Sequence, residues 1–153
     1  MSTRTSPSMG RAVVLALTWL ASQAGHETGD FLVQRDGNPK QEHTNEGRTA
    51  LAAHVLTYGI TQAAMKAAVF RAAGVRIPWR ALAVGQVVEM VLHAVIDDGR
   101  LLRRYAEVAG KLRFHDLNAG GVNGRMLLDQ AMHKGLQIPL GAMITALLVR
   151  KEN

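Results

Sequence analysis

No residue of this 153-residue chain is cysteine. Disulfides, thiolate zinc sites and thiol nucleophiles are thereby excluded. Any metal must be held by His, Asp, Glu or backbone oxygen, donors that suit Zn, Mn, Fe or Mg better than a soft-ligand ion. Aromatic residues are scarce at 5%, whereas hydrophobic residues reach 48% and alanine is abundant. Strands favour the aromatic and β-branched side chains that are in short supply, so this mixture points to closely packed helices. Convincing period-two alternation is missing, and so is any repeat of solenoid length. The expected fold class is all-α: one helical bundle of four main helices plus a shorter fifth, spanning residues 10–150 behind a disordered polar tail, 1–9.

Acidic residues are the minority charge, leaving a formal net charge of +6 and a pI near 10.3. That balance favours an anionic, phosphate-bearing ligand, with a nucleotide, a nucleic acid or a lipid headgroup as candidates. The basic residues are scattered, as at Arg76–Arg80 and Arg100–Arg104, and no aromatic-rich RNA-binding signature accompanies them. The glycine-rich stretch "RFHDLNAGGVNG" lacks the Lys-Ser/Thr ending and the preceding strand of a phosphate-binding loop.

Long hydrophobic runs are also short of what a membrane span needs. The longest uncharged run, Thr49 to Met65, contains His54 and falls below the about 20 apolar residues of a spanning helix. The opening "MSTRTSPSMGRAVVLALTWLASQAG" mimics a signal peptide, but its removal would cost the domain a core helix. These lengths favour a cytoplasmic protein, soluble or membrane-associated, over a multi-pass one.

The helices are expected from about Arg11 to Gln34, Arg48 to Ala73, and Pro78 to Asp98, with Pro78 in the first turn of the third. Gly25 and Gly29 would let a neighbour approach the first. An amphipathic segment follows Gly99, with Leu101, Leu102, Tyr105 and Val108 as its apolar side. The last helix carries Pro139, which predicts a kink or break near Gln137. The stretches Arg35–Gly47 and Arg113–Gly124 read as polar loops.

Set on these helices, one pattern recurs. "HETGDF" places His26 and Asp30 four residues apart, "HAVID" does the same with His93 and Asp97, and "DQAMH" reverses the order with Asp129 and His133. Residues at i and i+4 share a helix face. His54 adds a lone imidazole in an Ala/Leu/Val setting. A single pair reads equally as a surface interaction or a helix-end charge effect, and a lone histidine as a hydrogen-bonded core residue. Four helices that each supply a histidine, three of them with an aspartate, read differently. Bundles build metal centres from inward-facing side chains, and this many ligands exceeds one tetrahedral ion. They suit a centre of two divalent ions with one aspartate bridging. Of the remaining candidates, His43 and His115 fall in polar loops, Asp98 reads as a helix-end or supporting residue, and Glu89 sits one turn before His93.

The segments "HETGDFLVQRDGNPK", "AAHVLTYGIT", "HAVIDD", "GK" followed by "FHDL", and "LLDQAMH" occur in one order over roughly residues 20 to 135. That order resembles a small bacterial and phage-borne family, usually named only as a domain of unknown function. Its pattern is His-x3-Asp-x3-Gln, a Lys, HV-x-TY, His-x3-Asp, then LDQ-x2-H. The resemblance implies a compact helical protein, in some members hydrophobic enough to be called a membrane protein, and it supplies no reaction. The matching positions are His26, Asp30, Gln34, Lys40, His54, Tyr58, His93, Asp97, Lys111, Asp129, Gln130 and His133.

The expected function is a metal-dependent hydrolase acting on a phosphoester of a nucleotide or nucleic acid. His26, Asp30, His54, His93, Asp97, Asp129 and His133 would hold the metal. Lys40, Lys111 or an arginine from Arg100 to Arg104 would neutralise phosphate, and Gln34 and Gln130 would orient water or ligands. The order His54, His93, Asp97, Asp129 faintly resembles helical His-Asp phosphohydrolases, departing from them in that their central His and Asp are adjacent. The alternatives are a non-catalytic binding protein with a structural metal or a buried His/Asp network, and a membrane-embedded His/Asp protein.

Overall fold

The computed structural model describes residues 7–149. Most of the expected tail lies outside the described residues, and helix α1 (Pro7–Thr28) already begins at Pro7. A π-turn, Gly29–Val33, carries α1 onward, closed by Gln34 N–H donating to Gly29 O at 3.0 Å. α2 (Asn45–Ala72) follows a loop and is capped by Thr44, whose hydroxyl accepts from Gly47 N–H. α3 (Trp79–Asp97) comes next, and Gly99, at φ +79°, makes the left-handed turn into α4 (Arg100–Val108).

The expected loop at 113–124 holds more structure than its composition announced. A single-turn α5 (Leu112–His115) precedes a hairpin of two-residue strands, β1 (Asn118–Ala119) and β2 (Val122–Asn123). Asn123 then caps α6 (Gly124–Met132). α6 does not break before Pro139. A second π-turn, His133–Gln137, leads directly into α7 (Ile138–Leu148). Its wider pattern, with Ile138 N–H donating to His133 O, absorbs a residue just ahead of the proline, which has no N–H to give. α4 also departs from expectation: it buries Leu102 and Ala106, while Leu101, Tyr105 and Val108 stay exposed.

Four long rods make the bundle, with α1 packed on α2 and α7, and α3 on α2 and α7. Small residues set the spacing. A Cβ on Gly25 would meet Gln62 Cγ at 2.9 Å, and one on Gly29 would meet Tyr58 Cδ2 at 3.2 Å. Between α3 and α7, added Cβ atoms would land on Thr145 at Gly85 and on Glu89 at Gly141.

The interior is layered. Val14, Phe70 and Ala146 form an apolar plug at the end where α1 and α3 begin. Above it lies a polar tier in which Lys66 Nζ meets Glu89 Oε1 at 3.0 Å, Ser22 Oγ donates to the same oxygen, and Gln86 and Gln62 accept from Lys66. Tyr58 and Gln137 come next, and the buried histidines cap the stack. Meanwhile Trp19, Leu20, Ile60, Val87, Val91 and Leu147 face outward. α3 is long and apolar enough to cross a membrane by length and composition.

Candidate metal centre

The alternating direction of the four rods brings the C-terminal ends of α1 and α3 level with the start of α2 and the α6–α7 junction. At that level all seven expected ligands meet. Both π-turns lie there: the first contains Asp30 and the second begins at His133. Single π-turns inside helices recur at functional sites because the inserted residue re-aims a side chain.

The ligand atoms fall into two groups joined by Asp97. In the first, His54 Nε2 and His93 Nε2 are 2.9 Å apart, and Asp97 Oδ2 is 3.0 and 3.1 Å from them. Asp30 Oδ1 completes this group at 3.5 Å from His54 and 3.6 Å from His93. In the second, His133 Nε2 lies 3.4 Å from Asp97 Oδ1 and 3.6 Å from Asp129 Oδ2. His26 borders both, with Nδ1 3.6 Å from Asp30 Oδ2.

These separations have a physical meaning. Ligands about 2.1 Å from a common ion lie about 3.0 Å apart in an octahedron and about 3.4 Å apart in a tetrahedron. The observed edges span that range. Three triads have ligand atoms within 4.8 Å of one another and could hold a metal ion: His26/His93/His133, Asp30/His54/His93 and Asp97/Asp129/His133.

The imidazoles are oriented from behind. Gln137 Oε1 accepts from His93 Nδ1 at 3.3 Å and, through a short bond, from His133 Nδ1. Gln130 Oε1 lies 3.1 Å from His26 Nε2. With those nitrogens as donors, the opposite nitrogen of each ring presents its lone pair to the centre, the arrangement that outer hydrogen bonds impose on metal-binding histidines. The Gln137 amide then donates to Tyr58 OH at 2.6 Å, and the Tyr58 ring stacks on His93 with centroids 3.6 Å apart and planes 12° off parallel.

Five buried atoms facing this space have no hydrogen-bond partner within the described residues: His26 Nδ1, Asp30 Oδ1, Asp97 Oδ1, Asp129 Oδ1 and His133 Nε2. A buried polar atom left unpaired is costly, and orphans gathered from five residues on one spot match the donor set of a hard or borderline cation.

Charge is tuned to the same end. Burial works against ionisation of Asp30, but the nearby imidazoles of His54, His93 and His26 outweigh it and hold the carboxyl below its usual range. Burial pushes Asp129 up to about 6, with His133 acting against the rise. Burial penalises the His133 imidazolium, yet the nearby carboxylates of Asp97 and Asp129 raise it above the ordinary histidine value.

Lys40 arrives on the 34–44 loop. Its Nζ donates to Gln34 Oε1 at 2.8 Å, to Asp97 Oδ2 at 2.9 Å and to His54 Nε2 at 3.2 Å. The loop is pinned because Gly47 lets the Glu42 carbonyl press against the start of α2. Gln34 therefore positions Lys40, and Gln130 serves as an acceptor rather than a donor. Lys111 is exposed before α5, and the contacts it makes are backbone bonds to its own segment.

The remaining candidates separate from the centre. Glu89 is committed to Lys66 and Ser22. Asp98 turns to Arg100 and His43, the latter half-exposed. His115 is buried rather than solvated, with Nδ1 2.6 Å from Asp116 Oδ1. Gln137 and Lys66, the buried partner of Glu89, are the functional-looking residues that sequence reasoning missed. Gln137 extends the Asp129–His133 spacing by another four residues, a signal obscured by attention to Pro139. The chain matches no protein-family model, no curated protein and no solved structure.

Proposed function

We propose that this centre binds two divalent ions bridged by Asp97 and hydrolyses a phosphoester. The observation that carries the reading is the convergence of seven His and Asp side chains with five orphaned atoms turned on one another. Two such ions would polarise a phosphoryl oxygen and acidify a water. Everything else falls to the chain's own groups. His54, His93, Asp30 and Asp97 would hold one ion, and His133, Asp129, Asp97 and His26 the other. Gln130 and Gln137 keep the imidazole lone pairs aimed inward. Lys40 Nζ, held by Gln34 beside His54, is placed to take a phosphate oxygen in exchange for its contact with Asp97. Zn, Mn, Fe and Mg all fit a donor set of nitrogen and oxygen.

One observation favours a second reading, a non-catalytic protein in which the network only stabilises the bundle. Lys40 already lies against Asp97 and His54, so part of the anionic charge is neutralised within the chain. A screen of metal-loaded protein against phosphomonoester, phosphodiester and nuclease substrates separates the two. The hydrolase reading expects turnover that needs added metal and is lost in Asp97→Asn. Folded, metal-loaded protein that turns over none of the three classes refutes it and leaves the structural role.

A further inference from the structure

The bundle is polar inside and apolar outside. Its fully buried side chains include Thr18, Ser22, Gln62, Glu89, Gln137 and Thr145, whereas the exposed ones in the middle of the four rods are largely Val, Leu, Ile, Ala and Trp. Each of the four rods carries a long stretch free of exposed charge, though the stretches differ in length. On α1 no Asp, Glu, Lys or Arg lies between Arg11 and Glu27, and on the α6–α7 rod none lies between Lys134 and Val149. On α2, between Arg48 and Arg71, the one charged residue is Lys66; on α3, between Arg80 and Asp98, they are Glu89 and Asp97; all three are buried. The result is a continuous charge-free belt. At 1.5 Å per residue it measures about 22 Å on α1 and about 33 Å on α2, bracketing the about 30 Å of a bilayer's hydrocarbon core.

One detail fits lipid better than water. Trp79 lies at the arginine-bearing end of the belt with Arg80 beside it, the position of an interfacial anchor. A protein partner or second copy would cover one side and leave the rest of the ring exposed, whereas acyl chains cover a belt that encircles the whole bundle.

We infer that this chain is embedded in a lipid bilayer by this belt, with the His/Asp centre at one lipid–water boundary, and that the centre serves a phosphoester carried on a lipid. The second half rests on the hydrolase reading. A cleft of about 530 Å³ opens beside the centre between the 33–39 segment and α2, reaching His54 and Gln34. Its α2 wall is Ala50, Ala53 and Thr57, on the same exposed strip that continues into the belt at Ile60. A phosphate headgroup at the Gln34 and His54 end of the cleft, where Lys40 Nζ lies 2.8 Å from Gln34 Oε1 and 3.2 Å from His54 Nε2, with its chain descending along that strip, fits the cleft's two characters.

The test has two arms, each with its own readout. The full chain expressed in bacteria is fractionated with high-salt and alkaline washes, then reconstituted into vesicles whose acyl chains are brominated at shallow or deep positions. Retention in the washed membrane is expected, with Trp19 fluorescence, read in Trp79→Phe, quenched most by deep bromine, and Trp79, read in Trp19→Phe, by shallow bromine. Recovery in the soluble fraction without detergent, or tryptophans indifferent to bromine, overturns the embedding whatever the enzyme does. In the second arm, metal-loaded protein is offered a long-chain alkyl phosphate and a short water-soluble phosphomonoester. A preference of roughly tenfold or more in kcat/KM for the long chain is expected from burial of its methylenes along the apolar strip. Equal or better turnover of the soluble ester overturns the lipid substrate and leaves the hydrolase standing. Turnover of neither sinks both the lipid substrate and the hydrolase, while the first arm still reports on the belt.

Discussion

Replacing Gln137 by Leu removes one carbonyl oxygen that accepts from two ligand histidines at once, His93 and His133. The side chain is fully buried, so neither imidazole N–H can turn to water instead. Leaving a buried donor unpaired costs about 1–3 kcal/mol, which for the two rings gives a loss of about 2–6 kcal/mol in metal-free stability. Each ring also becomes free to carry its proton on the nitrogen that faces the centre. Losing an outer partner of a metal-bound histidine lowers affinity about 10–100-fold, and because one residue here serves two ligands the effect should lie toward the upper end. Gln137→Glu keeps the acceptor and should hold affinity within about tenfold of wild type, with the Tyr58 hydroxyl turning to donate to the new carboxylate. Zn titration against a chromogenic chelator, with circular dichroism to confirm the fold, reads the difference. A folded Gln137→Leu protein that binds metal as tightly as wild type would show that the histidines are not oriented from behind, and the assignment of their lone pairs would fail.

Other consequences follow from the layers beneath the centre. Lys66→Met strands Glu89 without its ammonium and should cost about 3–5 kcal/mol, whereas pairing it with Glu89→Leu should recover most of the loss in a thermal melt. Gly85→Val drives a side chain into Thr145 across the α3–α7 contact and should lower stability by about 1–3 kcal/mol without changing which residues form the centre. Asp129, pushed up to about 6 by burial, must give up its proton to bind metal. Metal affinity should therefore rise as pH is raised through about 6, and calorimetry at pH 5.5 and 7.5 should show protons released on binding, fewer of them in Asp129→Asn. A pH-independent affinity across that interval would remove Asp129 from the ligand set.

Much of this arrangement was legible because helix periodicity is local. The i, i+4 spacing of His26 with Asp30, His93 with Asp97 and Asp129 with His133 fixes a shared face without knowledge of the tertiary structure. The convergence of those faces then needed only short connections between antiparallel helices. What the sequence concealed were contacts made across helices. Lys66 and Glu89 each interrupt an apolar run, so a count of charge along the chain shortens the runs on α2 and α3. Only the packed bundle turns both residues inward against each other and leaves the outer surface unbroken. Gln137 was hidden for a related reason. Pro139 nearby signals a disruption, and the disruption takes the form of a π-turn that aims Gln137 at two histidines instead of breaking the helix. On α4 Leu102 is buried as its periodicity suggests, but Leu101, Tyr105 and Val108, which satisfy the same periodicity, stay exposed and Ala106 turns inward instead.

The most direct measurement is the metal content of the purified full-length chain, by mass spectrometry after equilibration with Zn, Mn, Fe and Mg in turn, alongside Asp97→Asn. Asp97 offers one oxygen to each half of the centre. Wild-type protein should hold two divalent ions per chain, and Asp97→Asn, still helical, should hold one or none. Folded wild-type protein that retains no divalent ion from any of the four would contradict the metal centre outright.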